Sequence, residues 1–198
     1  MGMLYNGNAV LDSRNIAPVG WHLPTVSEFD ILIAGLSPTS GGKLKKNGTT
    51  HWLNPNTGAT NSTGFNGVGS GFRDAGSFKG FLTASYFWCS HTLGGSSIFC
   101  PSLMFNSGEM YETTSFSDYF GLSLRFIKDS TTDTGSVTGN DNSVYATVTI
   151  GSQVWMASNS RETKFRDGSS IPEVRDQTTW NSLSTPGRCF PNNMSGNL

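Results

Sequence analysis

The chain has 198 residues and a net charge of −1, with 14% of residues charged; this length suits one ordinary domain with a real core, and the charge offers no electrostatic handle for nucleic-acid phosphate or an acidic membrane. No apolar run approaches the ~18 residues that span a bilayer. Met1–Asn6 shows neither the basic start nor the apolar segment of a secretory leader, as expected of a protein released by lysis or one whose leader has been removed.

Thr25-Val26-Ser27-Glu28 reads as a capping box, with Thr25 accepting from the first helical turn and Glu28 reaching back. Phe29, Ile31, Leu32, Ile33 and Leu36 give the following helix an apolar face, and Gly35 through Pro38 end it. Lys45 to Phe78 reads as a long Gly- and Asn-rich loop region pinned by Trp52, Phe65 and Phe72, with Lys43, Lys45 and Lys46 as a solvated rim. Short strands joined by Gly/Ser turns are expected around Phe81-Leu82, Tyr86–Trp88, Ile98-Phe99, Leu103–Phe105 and Glu109–Tyr111, then one alternating strand over Phe120–Ile127. Ser130 to Asn142, almost entirely Ser, Thr, Gly, Asp and Asn, reads as a flexible linker. Val144–Ile150 alternates as an amphipathic strand up to Gly151, Gln153–Met156 continues after the turn, and Asp176–Leu183 reads as a helical turn with Trp180 and Leu183 inside. Twenty-four glycines and 12% aromatic residues agree with aromatic strands and many tight turns.

The three cysteines leave at least one without a partner in the chain. A hairpin through Gly94-Gly95-Ser96-Ser97 would bring Cys89 and Cys100 together, so a disulfide there and a pair of buried thiols are both open readings. No Cys/His spacing matches a structural zinc site, no nucleophile-elbow or paired-carboxylate pattern is present, and no cofactor is expected. His22 and His51 read as packed, hydrogen-bonded residues.

Gly20-Trp21-His22-Leu23-Pro24-Thr25, Gly41-Gly42-Lys43-Leu44-Lys45, Thr49-Thr50-His51-Trp52, Asn56-Thr57-Gly58-Ala59-Thr60-Asn61 and Ser123–Asp129 resemble the later part of the Fibrobacter succinogenes major paralogous domain. Val148–Asn159, Thr163–Gly168, Ile171-Pro172 and Trp180 resemble its opening part, yet come second. The resemblance divides the chain into a later block (1–129), the linker (130–142) and an opening block (143–198), as in a domain cut open between Asn193 and Gly2. It implies an α+β, C-type-lectin-like fold: a twisted antiparallel sheet, one or two helices and long irregular loops, with Val144–Ile150 beside Gly121–Ile127. The linker, extended, reaches roughly 40 Å, and a short tether gives closure within the chain a high effective concentration. Self-closure is the expectation; completion of a neighbouring chain stays open.

In related retroelement-diversified proteins of this fold, the region matching Tyr86–Tyr119 carries the variable binding surface. The candidate ligand-binding residues are therefore His91, Phe99, Asn106, Tyr111, Phe116 and Tyr119, aromatic and polar side chains set among Ser, Gly and Thr. Trp88, Leu103, Phe105 and Leu122 are the alternating partners expected to fill the core. The calcium-dependent sugar motifs of the fold find only a superficial match in Asn54-Pro55-Asn56. The Gly-Trp-His-Leu-Pro-Thr segment also resembles formylglycine-generating enzymes, but nothing around Cys89 or Cys100 matches their catalytic motif. The resemblance implies a non-enzymatic ligand-binding or adhesion module on a phage virion or bacterial surface. Its partner would be a host-surface glycan or protein, and its location the virion surface or cell exterior. A structural array protein assembled by head-to-tail exchange of the 143–198 block is the alternative.

Overall fold

A computed structural model of the chain describes residues 1–90, 92–93 and 97–194, with side chains other than those of 92–93, 97–99 and 112–115. The chain opens with Leu4–Tyr5 (β1) and the short helix Gly7–Val10 (α1), capped by Asn6, whose side chain accepts from the Ala9 amide. Trp21–His22 (β2) leads into Val26–Leu36 (α2), where the capping box forms as expected: Thr25 accepts from the Glu28 amide, and Glu28 from the Thr25 amide. Phe29 and Leu32 are the helix residues that reach full burial. A further short helix, Ser40–Leu44 (α3), carries the Gly41-Gly42 pair. A Cβ at Gly41 would collide with the backbone of Glu109, and one at Gly42 with that of Gly58, so this contact admits only glycine.

Ser70–Arg73 (β3), Phe78–Phe81 (β4), Ala84–Tyr86 (β5), Thr92–Leu93 (β6), Ser97–Met104 (β7) and Met110–Ser117 (β8) follow, then Leu122–Ser123 (β9) and Ile127–Lys128 (β10). The rest comprises Ser136–Thr138 (β11), Val144–Ile150 (β12), Gln153–Met156 (β13), the helix Gln177–Asn181 (α4) and Arg188–Cys189 (β14). The fold is α+β, with mostly antiparallel sheets and few helices. One sheet runs β4-β3-β5-β7-β6 with β8 on the free side of β7; β3 and β5 pair in parallel and the other pairs are antiparallel. A second runs β11-β12-β13-β10-β2, and a third β14-β1-β9.

The second and third sheets join the two sequence blocks within one chain. Leu4 stands between Cys189 and Ser123, and Ile127 pairs with both His22 and Trp155. Three sequence expectations change here. The single strand over 120–127 is two short ones in different sheets, because Gly121 through Ile127 are all buried and the segment crosses the core rather than lying on it. Val144–Ile150 does not lie beside it: β13 intervenes, and β12 pairs with β13 and β11. Residues 130–142 are no featureless linker either, since Ser136–Thr138 pairs with Val144–Ala146 and Val137 is buried.

Trp52, Phe65, Trp88 and Trp155 are fully buried in the main core, with Phe87, Leu103, Leu122 and Phe126. Trp88 donates to the Tyr5 carbonyl and Trp52 to that of Gly67. Among them sit cations that take backbone carbonyls, not carboxylates, as partners. Lys45, expected on a solvated rim, is fully buried and donates to the carbonyls of Thr57, Met104 and Ser107 at 2.7–2.9 Å; burial pulls its ammonium down to about 8. Arg125 donates to the carbonyls of Phe65, Met156 and Asn66 and to the Asn159 side chain, its guanidinium 4.0 Å from the Phe65 ring. Burial lowers it to about 9, still charged at neutral pH. Arg73 lies between Phe78 and Trp180 and donates to the carbonyls of Val174 and Arg175 and to Gln177. Loop carbonyls buried without such donors would each cost about 1–3 kcal/mol. Arg125→Met keeps the volume and removes every donor; we expect a loss of at least about 3 kcal/mol, read from the urea midpoint at unchanged slope.

Glu162 is buried as well, its Oε1 without a hydrogen-bond partner and its Oε2 accepting from the Asp141 amide at 3.3 Å. Burial pushes its carboxyl up to about 7, with the Tyr145 hydroxyl opposing and the Asp141 charge adding. The unfolded chain ionises this group near its ordinary 4.5, so between those values the folded state holds the extra proton and stability falls as pH rises. Glu162→Gln removes that fall: the variant should match wild type at pH 4 and exceed it at pH 8 by about 2–3 kcal/mol, measured by denaturation at both pH values.

Candidate functional site

Five rings form a contiguous array on the largest sheet. Phe72 on β3 packs edge-on against Tyr86 on β5 at 5.2 Å, and Phe116 on β8 against Tyr86 at 5.0 Å. Phe116 meets Phe120 at 4.9 Å, and Phe120 stacks on Tyr119 at 4.8 Å with 29° between planes. Phe72 closes the group by touching Phe116 and Phe120. These spacings are those of favourable aromatic pairs, worth about 0.5–1.5 kcal/mol each beyond burial. Phe72, Tyr86, Phe116 and Phe120 pack on the main core yet stay half-buried, and Tyr119 is 37% exposed. All five residues of the array are partly accessible.

Its outer end is held by the second block. The Trp180 indole donates to the Tyr119 carbonyl at 2.9 Å, and its ring lies against Gly121, where a Cβ would collide with it. Asp176 caps α4 by accepting from Thr179, Trp180 is fully buried, and Arg73 stacks on it at 4.5 Å. The chain therefore runs from Val174 and Arg175 through Arg73 and Trp180 to Tyr119.

The four described sequence candidates fall in two places. Phe116 and Tyr119 belong to the array. Asn106 and Tyr111 lie at the β7–β8 turn, both exposed, with the Tyr111 hydroxyl 2.8 Å from Ser107. Tyr111 and Phe116 are five residue steps apart along β8, roughly 17 Å. His91 and the Phe99 side chain lie outside the described residues. Trp88, Leu103 and Leu122 are core as expected, while Phe105 is only partly buried. Phe72, assigned by sequence to pinning a loop, joins the array instead, as does Phe120; single-strand alternation cannot show that three strands and a turn present rings at one place.

Cys89, Cys100 and Cys189 are all buried. Burial drives the Cys100 thiol far up, the neighbouring Cys89 adding, and burial raises Cys189 to about 11. Thiols so placed make poor nucleophiles. His22 bridges β2 and α2: Nδ1 lies 2.6 Å from Asp129 and Nε2 2.9 Å from Glu28. Burial opposes its charge, but the two carboxylates outweigh it and its pKa is raised. It is a packed residue, as the sequence suggested. Among the described residues no three or more His, Cys, Asp and Glu side chains converge as metal ligands.

The family model of the Fibrobacter succinogenes major domain matches residues 1–128. The chain belongs to this family. The matched stretch ends at the last residue of β10 and contains every ring of the array; α4, with the Trp180 that supports the array, lies outside it. No curated protein matches the chain, and no solved structure does.

Trp180→Phe deletes the donor to Tyr119 and leaves part of the indole's buried space empty. We expect a loss of about 2–4 kcal/mol in urea unfolding, together with changed amide shifts at Tyr119 and Phe120, where the lost hydrogen bond acts directly.

Proposed function

We propose that the chain is a non-enzymatic ligand-binding module and that its ligand surface is the array Tyr86, Phe72, Phe116, Phe120 and Tyr119. The observation that carries this reading is a contiguous set of aromatic rings packed on the core yet left open to solvent. Rigid aromatic area costs little side-chain entropy on binding, and flat rings suit the apolar faces of sugars or the side chains of a protein. The weakly charged composition fits recognition by shape and stacking rather than by ionic steering. In this reading the module is displayed on a virion or at a bacterial surface and recognises a host-surface glycan or protein. Tyr119→Ala and Phe116→Ala should each abolish most binding on a glycan and cell-surface array, with Tyr111→Ala near wild type. Absence of binding by wild type, or equal loss in all three variants, would count against it.

The finer fold reading is a C-type-lectin-like domain with its blocks in permuted order. It is supported by β1 and β14, an antiparallel pair that sets Leu4 against Cys189 and so brings the first and last strands of the chain side by side in one sheet. The second reading, an array built by exchange of the 143–198 block, predicts a mass that grows with concentration. Closure within the chain predicts a constant 21.3 kDa, which light scattering over a hundredfold dilution distinguishes.

A further inference from the structure

A polar pocket of about 150 Å³ lies where the two blocks and the first residues of the chain meet, lined by Lys46, His51, Asn66, Asn159 and Arg161 with Met1 and Gly2 at its edge. Its walls are set by the Arg125 network. Asn159 accepts from Arg125 and donates to Ser123, while Asn66 donates to the Gly64 and Ala157 carbonyls. Gly2, at φ +85°, sits so close to Asn159 and Ser160 that a Cβ would collide with both, which brings the start of the chain against the pocket.

The charge is of one sign. Lys46 Nζ is 3.0 Å from His51 Nε2. An ammonium only donates, so Nε2 accepts and the neutral ring carries its proton on Nδ1. That Nδ1 is sealed from solvent and has no hydrogen-bond partner. Arg161 lies over the Tyr145 ring at 5.2 Å, with one long contact of 3.3 Å to the Val144 carbonyl. No carboxylate lines the pocket. Burial and then the charges of Lys46 and the chain's amino group hold His51 below its ordinary value. Two cations with no carboxylate beside them in the lining, set around a small preformed space, are what an anion requires.

We propose that this pocket binds a small oxyanion, a phosphate or carboxylate group, held between Lys46 and Arg161, its charge favouring the protonated form of the neighbouring His51 ring. The volume is below that of drug-sized sites, about 300–1,000 Å³, so it takes the acidic group of a ligand and little more. This site is separate from the aromatic array and does not depend on the role proposed for it.

The test uses the full chain with inorganic phosphate, acetate and chloride, following the His51 ring signal by NMR across pH and binding by calorimetry. His51→Asn identifies the signal among the three histidines. Phosphate or acetate should saturate with a half-point near or below about 1 mM, raise the His51 pKa, and bind more tightly as pH falls. Lys46→Gln and Arg161→Gln, both at the partly exposed rim, should each weaken binding about tenfold. Saturation by phosphate alone, or by acetate alone, assigns the ligand class. A non-saturating response, an equal response to chloride, or wild-type affinity in both variants overturns the proposal.

Discussion

Buried cations bonded to backbone carbonyls are the interaction on which this architecture depends. Much of the chain runs as irregular loops and strands of two to four residues, which cannot pair their own carbonyls along a ladder. Lys45, Arg73 and Arg125 supply the missing donors; Lys45 and Arg125 each serve carbonyls from segments far apart in sequence, and Arg73 serves two consecutive carbonyls of the other block. Arg166 works in the same way at the surface, donating to Ala17, Pro18 and Trp21. A cation set on several carbonyl dipoles over an aromatic face keeps its charge without a buried carboxylate, and so avoids the full desolvation cost of an ion pair. Glu162, a buried carboxylate with no cation bonded to it among the described residues, is pushed toward its neutral form instead.

Two of these cations also join the blocks. Arg125 fastens the loop at Phe65 and Asn66 to Met156 and Asn159, and Arg73 fastens β3 to Val174 and Arg175. The consequence for function is positional. Arg73 stacks on Trp180, Trp180 holds Tyr119, and Tyr119 ends the ring array. Residues 1–128 contain the rings, but the outermost is fixed from outside that stretch. The cationic pocket has the same dependence, with Lys46 and His51 from one block and Arg161 from the other.

Local chemistry was legible in the sequence wherever the signal was local. The capping box of α2, the strand at Val144–Ile150 and the burial of Trp88 and Trp180 all follow from short-range patterns, although that strand buries Tyr145 and exposes Val144, against its apolar alternation. Lys45 was misread because a lysine's burial depends on carbonyls that distant loops bring to it. Phe120–Ile127 was misread because alternation implies a strand on a surface, whereas Arg125 draws this segment through the core. Ser136–Thr138 gives no apolar pattern beyond Val137, and its pairing comes from the hairpin with β12. Phe116 and Tyr119 were among the candidates that the family resemblance offered, while Phe72 and Phe120 were not, since their meeting in one ring array is a property of sheet order.

The central claim is that residues 143–194 complete one cooperative unit with residues 1–129 through Arg73 and Arg125. Native-state hydrogen exchange in low denaturant tests it by comparing the amides of β3 with those of β13. The account predicts one shared opening free energy for the two strands, falling together as denaturant rises. Exchange of Val154 and Trp155 through a lower-energy opening, while Phe72 and Arg73 stay protected, would contradict it.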